Sequence, residues 1–124
     1  AAIKIGGVEG SDKEAYYVRA ITAMTNSTVN VGGDAIFELE GSDTIGLDLS
    51  DNSAVNVDSN VVTSAKATTG SVKGIGAANS SVTIGGDCLL QGQAYSDTVK
   101  GIDVNNGSVK IAGIANIIAS SSSR

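Results

Sequence analysis

The chain has 124 residues, with no histidine, proline or tryptophan, 16 glycines, and an apolar set made mainly of Val, Ile, Leu and Ala. A net charge of −5 opposes non-specific binding to nucleic-acid phosphates or anionic lipid surfaces, and without histidine there is no Ser-His-Asp or Cys-His pair. Cys88, the single cysteine, excludes an internal disulfide.

The chain opens on Ile3-Lys4-Ile5, an apolar-polar-apolar triplet preceded by neither the charged region nor the apolar run of a signal peptide. A polar stretch follows, and then Val18-Arg19-Ala20-Ile21-Thr22-Ala23. Next comes Asn26-Ser27-Thr28-Val29-Asn30-Val31, and this motif returns as Asn52-Ser53-Ala54-Val55-Asn56-Val57 and Asn79-Ser80-Ser81-Val82-Thr83-Ile84. A looser copy is Asn106-Gly107-Ser108-Val109-Lys110-Ile111, so the leading asparagines recur at nearly equal intervals along the chain. A fixed period of this size marks a repeat architecture.

Each unit carries three short apolar segments. The first is the Val-x-Val strand of the motif, whose alternation turns its outer two positions to one face. A bend follows, as Gly32-Gly33-Asp34, Asp58-Ser59-Asn60 and Gly85-Gly86-Asp87, with residue types that accept the positive φ of sharp turns. The second segment reads Ala35-Ile36-Phe37, Val61-Val62-Thr63, Cys88-Leu89-Leu90 and Ala115-Asn116-Ile117. Beyond a variable polar loop the third segment begins at Val18, Ile45, Val72 and Val99.

Equivalent segments of successive units resemble one another, whereas consecutive segments within a unit do not. Like therefore pairs with like one period away and in the same chain direction, which gives parallel ladders. The expected fold is all-β: a right-handed parallel β-helix of about 4.5 coils of 26–27 residues, with three short strands per coil. It spans residues 1–119 as one unit, and the Ser-rich 120–124 is a tail or linker. One period before Val29 lies Ile3, so the inward columns read Ile3, Val29, Val55, Val82, Val109 and Ile5, Val31, Val57, Ile84, Ile111. A third column is Ile21, Leu47, Ile75, Ile102. Phe37, the lone phenylalanine, belongs at a wider corner or in an exposed loop.

The column Asn26, Asn52, Asn79, Asn106 has two readings: an amide ladder along the stack, or glycan acceptors at Asn26, Asn79 and Asn106, each followed two residues on by Ser or Thr. Candidate acids for polysaccharide hydrolysis or lysis are Asp48 and Asp103, set about 10 Å apart across Gly76, and Glu38 and Glu40 beside Asp43. That separation is wide even for an inverting pair, and Arg19, Lys73 and Lys100 read equally as a solvated face. The Gly-Gly-Asp bends lack the nonapeptide period of calcium-binding glycine repeats, and Cys88 reads as a small apolar filler. The outward column Lys4, Asn30, Asn56, Thr83, Lys110 is too irregular for an ice-binding face. No catalytic, cofactor or metal-binding residue is expected.

In the run from Gly74-Ile75 to Leu90, the units resemble the β-helical passenger domains of bacterial autotransporters and related secreted adhesins. The resemblance implies export to the bacterial surface or beyond, a rod longer than this segment, and roles in adhesion, self-association and biofilm. The partner would be a host or bacterial surface protein or glycan, or another copy. Attachment to the outer membrane would run through regions outside this sequence. Binding specificity is expected in the variable loops Glu9–Glu14, Glu38–Asp43, Lys66–Gly70 and Gln91–Asp97. Neither end shows a polar cap, so either the solenoid continues or copies stack end to end into a filament.

Overall fold

A computed structural model describes residues 2–5, 17–95 and 98–121. Among them are thirteen strands and no helix: β1 (Ala2–Ile5), β2 (Tyr17–Met24), β3 (Thr28–Val31), β4 (Ala35–Gly41), β5 (Asp43–Ser50), β6 (Ala54–Val57), β7 (Val61–Ala67), β8 (Val72–Ala78), β9 (Ser81–Ile84), β10 (Cys88–Ala94), β11 (Val99–Asn105), β12 (Ser108–Ile111) and β13 (Ala115–Ser121). No two consecutive strands of this set pair. They form three parallel sheets, ordered β1-β4-β7-β10-β13, β11-β8-β5-β2 and β12-β9-β6-β3. The chain is a β-solenoid of about four turns with three strands per coil.

Register follows the repeat. Val29, Val55, Val82 and Val109 stand in one row, and Val31, Val57, Ile84 and Ile111 in the next but one. Ile21, Leu47, Ile75 and Ile102 make a third row. The middle members of these rows are sealed: Leu47 and Val55 have no exposed surface. Such burial stabilises by about 1.5–3 kcal/mol per side chain, so the interior is apolar and narrow by composition.

Ile3 and Ile5 belong elsewhere. β1 pairs with β4, matching Ile3 to Phe37, Lys4 to Glu38 and Ile5 to Leu39, so all three leave the columns of Val29, Asn30 and Val31. The alternation of Ile-Lys-Ile suits either sheet, and counting back by one regular period selected the wrong one. Ile3 and its partner Phe37 lie farther apart in the chain than Phe37 and its next partner Thr63, because the first coil is longer. The end of the solenoid also moves: β13 runs to Ser121, pairing Ser120 and Ser121 with Gln93 and Ala94, two residues into the stretch read as a tail.

Phe37 is buried, 1% exposed, in the row of Thr63 and Leu90. The opposite wall makes room for that row with glycine. A Cβ on Gly46 would lie 2.6 Å from the Gly74 carbonyl oxygen and 3.4 Å from Thr63 Oγ1. On Gly74 it would lie 2.6 Å from the Gly101 oxygen and 2.9 Å from Leu90 Cδ2, and on Gly101 it would run into Ile117. Each glycine thus admits the large side chain of the next coil, and Ala20 holds the equivalent place in the first.

An extra residue is absorbed within a coil. The step from β5 to β8, Leu47 to Ile75, is one residue longer than the step from β6 to β9, Val55 to Val82. The bend before β6 uses two positive-φ residues, Asp51 and Asn52, but the bend before β9 uses Asn79 alone. The loop at 68–71 lengthens the step from 26 residues, Phe37 to Thr63, to 28, and the shortened bend takes one of the two back.

Candidate functional site

Side-chain chemistry on this rod runs in columns along its bends and faces. Asn26, Asn52, Asn79 and Asn106 all have φ between 50° and 63°, the left-handed region that asparagine tolerates. Asn52 Nδ2 donates to Asn26 Oδ1 at 3.0 Å, and Asn106 Nδ2 to Asn79 Oδ1 at 2.7 Å. Between these pairs the backbone carries the link, Asn52 N–H donating to the Asn79 carbonyl.

The serines beside them form a second column. Ser27 N–H donates to Ser53 Oγ and Ser53 N–H to Ser80 Oγ, while the Ser53 hydroxyl donates to the Ser50 carbonyl. Ser53 is 3% exposed, so water cannot replace these bonds. Ser53→Ala is expected to cost about 1–2 kcal/mol in urea unfolding, since it strands one N–H and one carbonyl. A loss indistinguishable from zero would show that the hydroxyl is dispensable.

At the next bend the column is Asp34, Asn60, Asp87. Asp34 Oδ1 accepts the Asn60 N–H, Asn60 Oδ1 the Asp87 N–H, and Asp87 Oδ1 the Ile114 N–H, at 2.8–3.0 Å. Each side chain therefore caps the start of the β4, β7 and β10 sheet in the following coil. The Asn60 N–H, followed by the Ser59 side chain, holds the Asp34 carboxyl below the usual carboxylate range. Because the folded pKa lies below the unfolded one, this contribution is complete above the unfolded value. It is lost as pH falls through the folded value. The Asn60 amide resonance should shift with Asp34 at a midpoint below that of a free aspartate, and Asp34→Asn should abolish the transition. A midpoint at or above the free value would contradict the bond.

Of the acids considered for catalysis, Asp48 and Asp103 sit on the β2–β5–β8–β11 sheet, each beside a cation. Arg19 Nε lies 2.8 Å from Asp48 Oδ2, and Lys73 Nζ and Lys100 Nζ lie 3.2 and 3.9 Å from Asp103 Oδ2. Asp48 and Asp103 share a row two strands apart, with Gly76 between them, and a Cβ on Gly76 would meet Lys73 Cδ at 2.8 Å. The Lys73 stem thus covers the gap between the acids. The basic residues share a row that Ile45 interrupts. Asp43 Oδ1 accepts the Ser71 N–H at 2.9 Å.

No family model, curated protein or solved structure matches the chain.

What remains is chemistry on the outer face of the sheet of β4, β7 and β10, each a strand of seven residues. Much of the expected loop sequence lies here: Glu38 and Glu40 are in β4, Lys66 in β7 and Gln91 and Gln93 in β10, with Ser42 alone joining β4 to β5. Glu9–Glu14, Ser96 and Asp97 fall outside the described residues. Outward rows read Ile36, Val62, Leu89; then Glu38, Ser64, Gln91; then Glu40, Lys66, Gln93. Ile36 is 41% exposed, and Lys66 Nζ stands 5.4 Å from the centre of the Tyr95 ring at the edge of the band. A loop was expected because these positions are polar, but strict alternation, with Ala35, Phe37 and Leu39 inward, keeps them in strand.

Cys88 is buried between Val61 and Ala115, and burial pushes its thiol pKa up, away from the nucleophilic thiolate. Among the described residues no three His, Cys, Asp or Glu side chains gather to hold a metal ion, and no helix is long and apolar enough to cross a membrane.

Proposed function

We propose that the chain is a rod-building interaction module, a segment of an extracellular, adhesin-like solenoid of the autotransporter-passenger kind. Its partner is a surface protein or glycan of a host or neighbouring bacterium. The observation that carries this reading is the division of labour among polar side chains. Those at the bends are bonded coil to coil along the axis, whereas the band over β4, β7 and β10 offers amides, carboxylates and a hydroxyl beside an apolar row. The first set extends a rod; the second faces outward in evenly spaced rows, an arrangement suited to an extended partner such as an oligosaccharide.

The test is binding of the purified chain to arrays of glycans and of immobilised surface proteins, with Gln91→Ala/Gln93→Ala as the comparison. Saturable binding weakened at least tenfold by the double substitution supports the reading. Absence of binding across both arrays would leave a spacer without a partner on this face.

A further inference from the structure

We infer that Asn106-Gly107 is a self-modification site, at which the chain converts its own side-chain amide to an isoaspartyl link and so loosens one bend of the asparagine column. The inference goes beyond the adhesive reading and requires no ligand on the outer band.

Packing imposes the labile pair. A Cβ on Gly107 would run into the carbonyl oxygen of Ser80 and stand 3.1 Å from the Ser80 nitrogen, so glycine is the residue that fits against the bend of the preceding coil. Asn106, at φ 55°, supplies the left-handed turn. It is the only asparagine in the sequence followed by glycine, whose nitrogen no side chain shields. Asn52 and Asn79, each with a coil on either side, are exposed at the same bend. Water therefore reaches the whole column.

The chemistry needs only that water. The Gly107 nitrogen attacks Asn106 Cγ and closes a cyclic imide. The bond from Cγ to Nδ2 breaks, and Nδ2 leaves as ammonia with the proton given up by the attacking nitrogen. Water then opens the ring. Opening at the side-chain carbonyl gives aspartate, whereas opening at the main-chain carbonyl gives isoaspartate, whose main chain runs through the former side chain and is longer by one atom.

The two products act differently on the stack. Asn106 Nδ2 donates to Asn79 Oδ1 at 2.7 Å. An aspartate loses that donor but accepts from Asn79 Nδ2 once that amide turns over, so the link survives. Isoaspartate strains the ladder on both its flanks. The Asn79 N–H donates to the Asn105 carbonyl at 2.9 Å and the Ser108 N–H to the Ser80 carbonyl at 3.1 Å, and the added atom lies between Asn105 and Ser108.

Serines guard other members of the column. Ser27 N–H donates to Ser53 Oγ and Ser53 N–H to Ser80 Oγ, so the nitrogen that would attack Asn26 or Asn52 must first leave a hydrogen bond, which slows it about tenfold. Gly107 has no hydroxyl to offer the Ser80 N–H. Asn79 is therefore less guarded than Asn52, although both precede serine.

The test incubates the full chain at neutral pH, folded and in urea, and follows conversion at each asparagine by peptide mass spectrometry, with isoaspartyl peptides resolved by chromatography. In the folded chain Asn106 should convert first, and Asn79 about tenfold faster than Asn52. In urea Asn79 and Asn52 should match. Asn106 converting no faster than Asn52, or a folded-state tie between Asn79 and Asn52, overturns the inference. Hydrogen exchange then separates the products. The isoaspartyl chain should exchange its Asn79 and Ser108 amides about tenfold faster than fresh chain, whereas Asn106→Asp, which adds the charge without the atom, should keep the fresh protection. Equal protection in isoaspartyl and fresh chain, or an Asn106→Asp variant as open as the isoaspartyl chain, overturns it as well.

Discussion

Replacing Phe37 with alanine is expected to remove about 4 kcal/mol of folding free energy, the largest loss expected from truncating a single side chain among the described residues. Phe37 is the bulkiest sealed side chain, inward-facing on a strand paired on both sides, and its neighbours are held in ladder register. Those walls cannot close on the cavity without breaking hydrogen bonds, so most of the void persists. Phe37→Leu keeps most of the volume and should cost about 1 kcal/mol. Urea unfolding of both variants checks this: equal losses for leucine and alanine would mean that the ring's volume is not what the coil needs.

The second large effect comes from adding atoms. Gly74→Ala places a methyl 2.6 Å from the Gly101 carbonyl oxygen and 2.9 Å from Leu90 Cδ2. The first obstacle is backbone of the adjacent strand, which moves only if β8 and β11 part. A cost of about 2–3 kcal/mol is expected. Gly76→Ala is the internal control, since the nearest atom there is the Cδ of the flexible Lys73 side chain, 2.8 Å away on the outer surface. It should be nearly neutral. If both alanines behave alike, the inward glycine row is not a packing device.

Much of this fold was legible because the repeat wrote it several times. Val29, Val55, Val82 and Val109 announce one another at a steady interval, and a parallel ladder is the arrangement that sets such positions side by side. The asparagine column was readable for the same reason, and its amide bonds join Asn26 to Asn52 and Asn79 to Asn106. Where only one copy existed the pattern had nothing to agree with. Ile3-Lys4-Ile5 satisfies the alternation of two sheets, and the longer first coil removed the spacing that would have chosen between them.

The candidate surface was harder to read than the core. Glu38, Glu40, Gln91 and Gln93 look like loop residues by polarity, yet Leu39 and the small Ala65, Gly92 and Ala94 at alternate positions keep those stretches in strand. The serine column was visible as a repeated letter and missed as a buried bond, because a hydroxyl's partners are set by the bend rather than by its own type. Gly46, Gly74 and Gly101 were passed over similarly. Their role depends on side chains two segments downstream, Thr63, Leu90 and Ile117, which no periodicity within one segment reveals.

Each coil presses only on the coils above and below, and that gives the rod a defined response to mechanical load. The strands lie across the long axis, so a pull from end to end opens their ladders one turn at a time instead of shearing a whole sheet at once. A coil of about 27 residues pulled straight at about 3.3 Å per residue supplies about 90 Å of slack, against the roughly 4.8 Å it occupied when stacked. A tether built this way lengthens in discrete releases under force and spares whatever is attached to its far end.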